Sequence, residues 1–149
     1  MINRPIVEFA PAGTQAPASI PGYKTPGAAG MDIASYVDID MRPGDREIVR
    51  TGWQIKVPEG YECQVRSRSG LALEEGIVVL NSPGTIDSDY TGEIYVLLHN
   101  TSNRLVSIAY GQRIAQLVIA PVVQAHIVLR EQITAVTQRG DKGFGSTGK

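Results

Sequence analysis

Short apolar runs, each closed by a glycine or proline turn within about ten residues, confine this chain to an all-β fold. Successive side chains of a strand point to opposite faces. That alternation is explicit where Trp53, Ile55 and Val57 oppose Gln54 and Lys56, and again where Tyr61, Cys63 and Val65 oppose Glu62, Gln64 and Arg66. Residues 6–9 open the pattern. Residues 77–80, 94–98, 105–110, 114–119 and 126–129 are apolar runs suited to strands buried on both faces. Pro43-Gly44, Pro58-Glu59-Gly60, Ser82-Pro83-Gly84 and Tyr110-Gly111 carry the turn chemistry between them. Residues 13–30, rich in glycine and proline, read as a loop or extended arm, and only 71–75 invite a helix. The expectation is a sandwich or barrel of the jelly-roll kind with one short helix. A single domain covers residues 1–138, and 139–149 form a tail.

Composition narrows the function classes. The chain has 149 residues and a net charge of −1, which lacks the basic footprint of a nucleic-acid-binding protein. Cys63 is the single cysteine, so an internal disulfide and a thiolate metal cluster are both ruled out. His99 and His126 lie too far apart in sequence to suggest a zinc motif. The first residues hold no apolar core of a secretory leader, and no stretch approaches the ~20 apolar residues of a membrane helix. A soluble protein of a reducing, cytoplasmic compartment is expected, with no nucleic-acid or membrane partner.

The chemistry-bearing residues sit at strand ends. The terminal run R-G-D-K-G-F-G-S-T-G-K (139–149) is dense in glycine, which loses much chain entropy on ordering, and is expected to stay mobile until a ligand organises it. Arg139, Ser146, Thr147 and backbone N–H groups are phosphate donors, and Phe144 offers a face to a base, so the tail reads as a lid over a nucleotide or, alternatively, as a plain disordered terminus. The end also matches the opening of a phosphate-loop motif, but the hydroxyl residue that would hold magnesium is missing and neither the strand nor the helix of that motif flanks it. Arg66-Ser67-Arg68-Ser69-Gly70 is a donor cluster without a carboxylate, suited to phosphate oxygens or simply to solvent. In residues 81–90, Asp87 or Asp89 can orient and deprotonate a water, or both can serve as backbone caps of a turn. Asp32 is a candidate for a magnesium ion held through its waters, and Arg113 is expected to brace a neighbouring carboxylate.

In order along the chain, A-G-M-D-I (29–33), R-S-G-L-A (68–72), N-S-P-G-T-I-D-S-D-Y-T-G-E-I (81–94), G-Q-R-I-A-Q-L (111–117) and R-G-x-x-G-F-G-S-T-G (139–148) resemble the five motifs of the trimeric dUTP pyrophosphatases. The resemblance implies a homotrimer of distorted jelly rolls, each active site drawing motifs from neighbouring subunits and closed by another subunit's C-terminal tail. It implies hydrolysis of dUTP to dUMP and pyrophosphate with Mg2+, limiting uracil incorporation into DNA and supplying dUMP for thymidylate synthesis. On this resemblance Asp87 activates the water that attacks the α-phosphorus, and Tyr90 packs under the deoxyribose and excludes a 2′-hydroxyl. Asn81 and the backbone of Gly84, Thr85 and Ile86 read the uracil edge. Arg68, Ser69, Gly70 and Gln116 contact phosphates, and Asp32 positions the hydrated metal. In the tail Phe144 stacks on uracil beside Gly145, while Arg139, Ser146 and Thr147 close on the γ-phosphate.

Two positions depart from the family pattern. Lys142 stands where the tail usually has glycine, adding a cation and stiffening the arm. Ser67 replaces a proline before the motif arginine, which is expected to loosen that turn. Two other functions on such a scaffold are a dCTP deaminase and a nucleotide-sensing protein that binds a regulatory partner. The first needs a carboxylate proton shuttle at the base, and no glutamate lies between Gly76 and Thr91.

Overall fold

Residues 4–134 and 137–142 are described in the computed structural model of the chain. The elements in order are β1 (Glu8–Pro11), β2 (Gly22–Tyr23), β3 (Met31–Ala34), β4 (Ile39–Met41), β5 (Arg46–Lys56), β6 (Tyr61–Arg66), α1 (Ser69–Glu75), β7 (Ile77–Val79), β8 (Gly84–Ile86), β9 (Glu93–Asn100), β10 (Val106–Ile108) and β11 (Arg113–Pro121). They form sheets of order β1-β5-β9-β7, β2-β3-β11-β6-β8 and the pair β10-β4, with antiparallel pairing throughout. This is the expected all-β jelly roll with one short helix. No helix among the described residues is long and apolar enough to cross a membrane.

The inward side chains of both large sheets meet in one core that includes Ile33, Val49, Ile55, Val65, Ile94, Leu98, Ile114 and Leu117. Each such side chain taken from water contributes about 1.5–3 kcal/mol, so alternation along the strands is what holds the sheets together. Cys63 lies within this core, and burial pushes its thiol up to about 12, which keeps it protonated and inert.

The longest strand is interrupted by a bulge. Between β5 and β9 the register passes from Arg50↔Tyr95 to Gln54↔Glu93, and Gly52 lies between with φ +73°. A Cβ there would strike the Tyr36 ring and Pro17, so glycine is required both for the backbone angle and for the space. Side chains take up the bonds the ladder loses. The Thr51 hydroxyl donates to the Ile94 carbonyl at 2.7 Å, and the Gly52 N–H donates to Glu93 Oε1 at 2.9 Å.

Helix α1 follows the loop after β6 and is anchored by one buried side chain, Leu71. It stops at Gly76, whose left-handed backbone (φ 68°) turns its N–H back to the carbonyls of Leu71 and Ala72. The short helix thereby sets Arg68, Ser69 and Gly70 at its start, beside β6.

Some expectations are corrected. The first strand lies at 8–11, not 6–9, because its partners are the residues of β5 from Trp53 to Lys56. The arm at 13–30 contributes the two-residue β2. The run 94–98 is not buried on both faces within the chain: Ile94, Val96 and Leu98 are buried while Tyr95 is 49% exposed. Likewise Val106 and Ile108 are buried on either side of exposed Ser107. Residues 126–129 form no strand; they find no partner among the described residues, and Ile127, Val128 and Leu129 face outward.

Candidate active site

The segment from β8 to β9 is built around small residues. Gly84 and Ile86 point into the core and Thr85 outward, as a strand requires. The Asn81 amide lies over Gly84, where an added Cβ would come within 3.0 Å of its nitrogen. Asp87 leaves the end of β8 exposed, and its carbonyl accepts the Tyr90 N–H at 3.2 Å to close a turn. Asp87 and Asp89 therefore lie in a turn and do not share the face of a strand. Tyr90 folds back over Gly92, where a Cβ would sit 2.5 Å from its hydroxyl oxygen, and donates that hydroxyl to the Glu93 carbonyl at 2.6 Å.

Three hollows surround this segment. One of about 240 Å³ is lined by Asn81, Gly84, Thr85 and Ile86 with Ile48, Val65, Tyr95 and Leu97. An adjoining one of about 220 Å³ is lined by Thr85, Ile86, Asp87, Tyr90 and Glu93. Asp87 also faces a larger cleft of about 690 Å³ together with Ser88, Asp89 and Lys56.

A second cluster is centred on Asp32 of β3. Its Oδ1 accepts from Arg68 Nε at 3.1 Å and its Oδ2 from Arg113 Nη1 at 2.7 Å. Arg113 thus braces a carboxylate, as its position among apolar neighbours suggests. Arg68 also donates to the Arg113 carbonyl at 3.0 Å, so the guanidinium is oriented by two elements at once. The Arg66–Gly70 donor cluster, which has no carboxylate in its own sequence, acquires one from β3. Gln116, opposite Asp32 across the β3–β11 ladder, donates Nε2 to the Ser67 carbonyl at 2.9 Å.

Ser67 is bonded through its hydroxyl, its N–H and its carbonyl. Its hydroxyl accepts the Val79 N–H at 2.9 Å, its own N–H donates to the Ser82 hydroxyl at 3.3 Å, and its carbonyl takes Gln116. A proline would keep the carbonyl but lack both the hydroxyl and the N–H, so serine adds the ties to β7 and to the residues before β8. The Ser67–Ser82 contact also links the Asp32 cluster to the hairpin. Yet Arg68, Ser69, Gly70 and Gln116 line none of the three hollows around Asp87.

The tail is described only in part. Arg139 is exposed, and its Nε donates to the Lys142 carbonyl at 3.0 Å in a turn. Phe144, Gly145, Ser146 and Thr147 lie outside the described residues. Among the described residues no three His, Cys, Asp or Glu side chains gather to ligate a metal directly. Each Asp32 oxygen keeps acceptor capacity for a water beyond its one guanidinium bond, while the two guanidinium groups offset the charge that would draw a cation.

One pair escaped the sequence reading. Glu93 is held in a fork by Arg50, with Nε to Oε1 at 3.1 Å and Nη2 to Oε2 at 3.0 Å. Burial works against its charge, but the bonds from Arg50 and the Gly52 N–H outweigh it and hold the carboxyl below the usual glutamate value. The partners stand far apart in sequence and only the ladder brings them together.

An all-β jelly roll that sets a carboxylate and a tyrosine on a small-residue hairpin, beside an arginine cluster, has the features of a nucleotide-hydrolysing protein. The sequence pattern of the dUTPase family matches residues 16–148, and the chain belongs to that family. It is 55% identical over 132 residues to the deoxyuridine 5′-triphosphate nucleotidohydrolase of Nautilia profundicola, covering 89% of this chain and 92% of that protein. It is 53% identical to the Chlamydia pneumoniae protein of the same name, covering 87% and 90%. The dUTPase of Staphylococcus bacteriophage 80alpha with dUPNHPP shares the fold at a TM-score of 0.87 and 26% identity, over 97% of this chain and 99% of that one.

Proposed function

We propose that this protein hydrolyses dUTP to dUMP and pyrophosphate, with uracil in the hollow beside Asn81 and the reacting phosphate beside Asp87. The observation that carries the reading is the pair of adjoining hollows on one hairpin, the first lined by Asn81, Gly84, Thr85 and Ile86 and the second by Asp87 and Tyr90. In this reading backbone groups of 84–86 and the Asn81 amide pair with the edge of the base. A substrate that places a donor against a donor there loses about 1–3 kcal/mol, which disfavours cytosine. The tight hairpin leaves no room for a thymine methyl, and the Tyr90 ring leaves none for a ribose 2′-hydroxyl.

Asp87 orients a water and takes its proton as the oxygen attacks the α-phosphorus. The bond from that phosphorus to the bridging oxygen breaks and pyrophosphate leaves. Hydrolysis of this kind needs an oriented nucleophile and fixed positive charge more than covalent chemistry. Arg68, Ser69, Gly70 and Gln116 supply donors to the phosphate oxygens, and Arg139, Ser146 and Thr147 close over the γ-phosphate while Phe144 covers the base. Mg2+, carried by the triphosphate and met by Asp32 through water, would neutralise phosphate charge.

The assembly is a homotrimer in which a second copy brings its Asp32–Arg68 cluster to the hairpin of the first and a third copy brings its tail. Two features support this: the phosphate donors line none of the hollows beside Asp87, and Val123, Ile127, Leu129 and Ile133 expose apolar side chains beyond β11. In a cytoplasmic setting the reaction removes dUTP before it enters DNA and furnishes dUMP for thymidylate synthesis. The test is pyrophosphate release from dUTP beside UTP, dTTP and dCTP, with and without magnesium, and with ammonia followed in the dCTP reaction. Release confined to dUTP is expected. Ammonia from dCTP, or tight dUTP binding without release, would overturn the assignment.

A further inference from the structure

We propose that Glu93, held by Arg50, is a positioning residue that sets the Tyr90 ring and thereby the choice of deoxyribose over ribose. The inference rests on the reading that Tyr90 faces the sugar. It begins at the β5 bulge, where the ladder skips and leaves the Gly52 N–H without a backbone partner. Glu93 Oε1 takes that N–H at 2.9 Å, and Arg50 grips both carboxylate oxygens. A bidentate guanidinium–carboxylate pair is planar and directional, so it fixes the carboxylate in orientation as well as in place. The Glu93 side chain is only 10% exposed, and Arg50 is in turn stacked on Tyr36, 5.3 Å from its ring centre. Glu93 is therefore fastened to β5 through its side chain as well as by its backbone pairing with Gln54.

The same residue's carbonyl receives the Tyr90 hydroxyl, at 2.6 Å. This bond and the missing side chain at Gly92 determine how far the ring leans over the second hollow, which Glu93 itself helps to line. A steric filter against one hydroxyl depends on ring position to within a fraction of an ångström. Without the fork Glu93 keeps only its backbone pairing with Gln54 to hold it to β5, at the frayed end of the ladder, so the carbonyl that the tyrosine leans on gains play and the filter widens. The pair therefore does more than patch a bulge.

The experiment measures kcat/KM for dUTP and for UTP, with the melting temperature, in Glu93→Gln, Arg50→Lys, Tyr90→Phe, Tyr90→Ala and the double variant Glu93→Gln/Tyr90→Phe. Tyr90→Ala, which removes the ring, is expected to relax selectivity most. Glu93→Gln keeps an acceptor for Gly52 but loses the charged fork, and Tyr90→Phe keeps the ring but loses its bond. Each is expected to lower the dUTP-over-UTP ratio about tenfold, and their combination to lower it no further. Arg50→Lys, which keeps the charge without the fork, should fall between parent and Glu93→Gln, and it carries the test if Glu93→Gln does not fold. Parent selectivity in Glu93→Gln and Arg50→Lys, with selectivity lost in Tyr90→Ala, overturns the inference alone whatever the melting temperatures do. Unchanged selectivity in Tyr90→Ala overturns the reading of Tyr90 and the inference with it.

Discussion

Gly30→Ala tests how the Asp32 cluster is packed. The backbone of Gly30 lies outside the left-handed region, so alanine meets no backbone strain there, only crowding. Its Cβ would clash with Gln116 Oε1 and stand 3.2 Å from Gln116 Cβ and Cδ. The amide end can swing away, but doing so gives up its 2.9 Å bond to the Ser67 carbonyl, worth about 1 kcal/mol. Gln116 Cβ is held by the β3–β11 ladder and must shift by a few tenths of an ångström, which adds about 1–2 kcal/mol of overpacking. The expected loss is about 2–3 kcal/mol in urea unfolding at fixed protein concentration. If Gln116 touches phosphate as proposed, kcat/KM for dUTP falls at least about tenfold. In a Gln116→Ala background the obstacle is gone, and the same substitution should be neutral or stabilising by up to about 1 kcal/mol, because alanine restricts the unfolded chain. An equal loss in both backgrounds would refute the packing argument.

Asp87→Asn should leave dUTP binding within a few-fold while lowering kcat by about 10²–10⁴, the usual share of a positioned base; turnover equal to the parent would remove Asp87 from the mechanism. Ser67→Ala strips the Val79 N–H of its acceptor and should cost about 1 kcal/mol in urea unfolding, with an unchanged midpoint counting against the role of Ser67 as a tie. The Glu93 carboxyl lies below its ordinary value in the folded protein, so its contribution is complete above about pH 4.3 and is lost as pH falls through the folded value. The melting temperature should therefore drop across that acid window in the parent and drop less in Glu93→Gln; parallel curves would contradict the ion pair's part in stability.

Strand existence was legible wherever one face is buried and the other wet. Trp53, Ile55 and Val57 alternate with Gln54 and Lys56, and the structure buries the first set and exposes the second. The beginning of the same strand was not legible, because Ile48 and Val49 are both apolar although only Val49 is buried. Residues 126–129 failed for a related reason: an apolar run signals a strand only where a neighbour is present to pair with it, and the described residues provide none. In the site, the order of motifs named the residues, and turn chemistry marked the 81–90 hairpin. Neither indicated that Asp32 is shared by Arg68 and Arg113 or that Ser67 ties three segments together.

What the sequence by itself determined was therefore local: the period of the strands, the glycines and prolines at the turns, the all-β class, and the motifs that mark the family. Side-chain alternation and turn preference act over a few residues, so they are written where they act. What only the tertiary structure decided was pairing at a distance. Glu93 meets Arg50 across 43 residues because β5 and β9 are antiparallel neighbours, and Asp32 of β3 meets Arg68, in the loop after β6, across 36 because β11 pairs with both strands. A charge in the sequence has no partner until the sheet assigns one, and that assignment distinguishes a guanidinium turned to solvent from one aimed by a carboxylate.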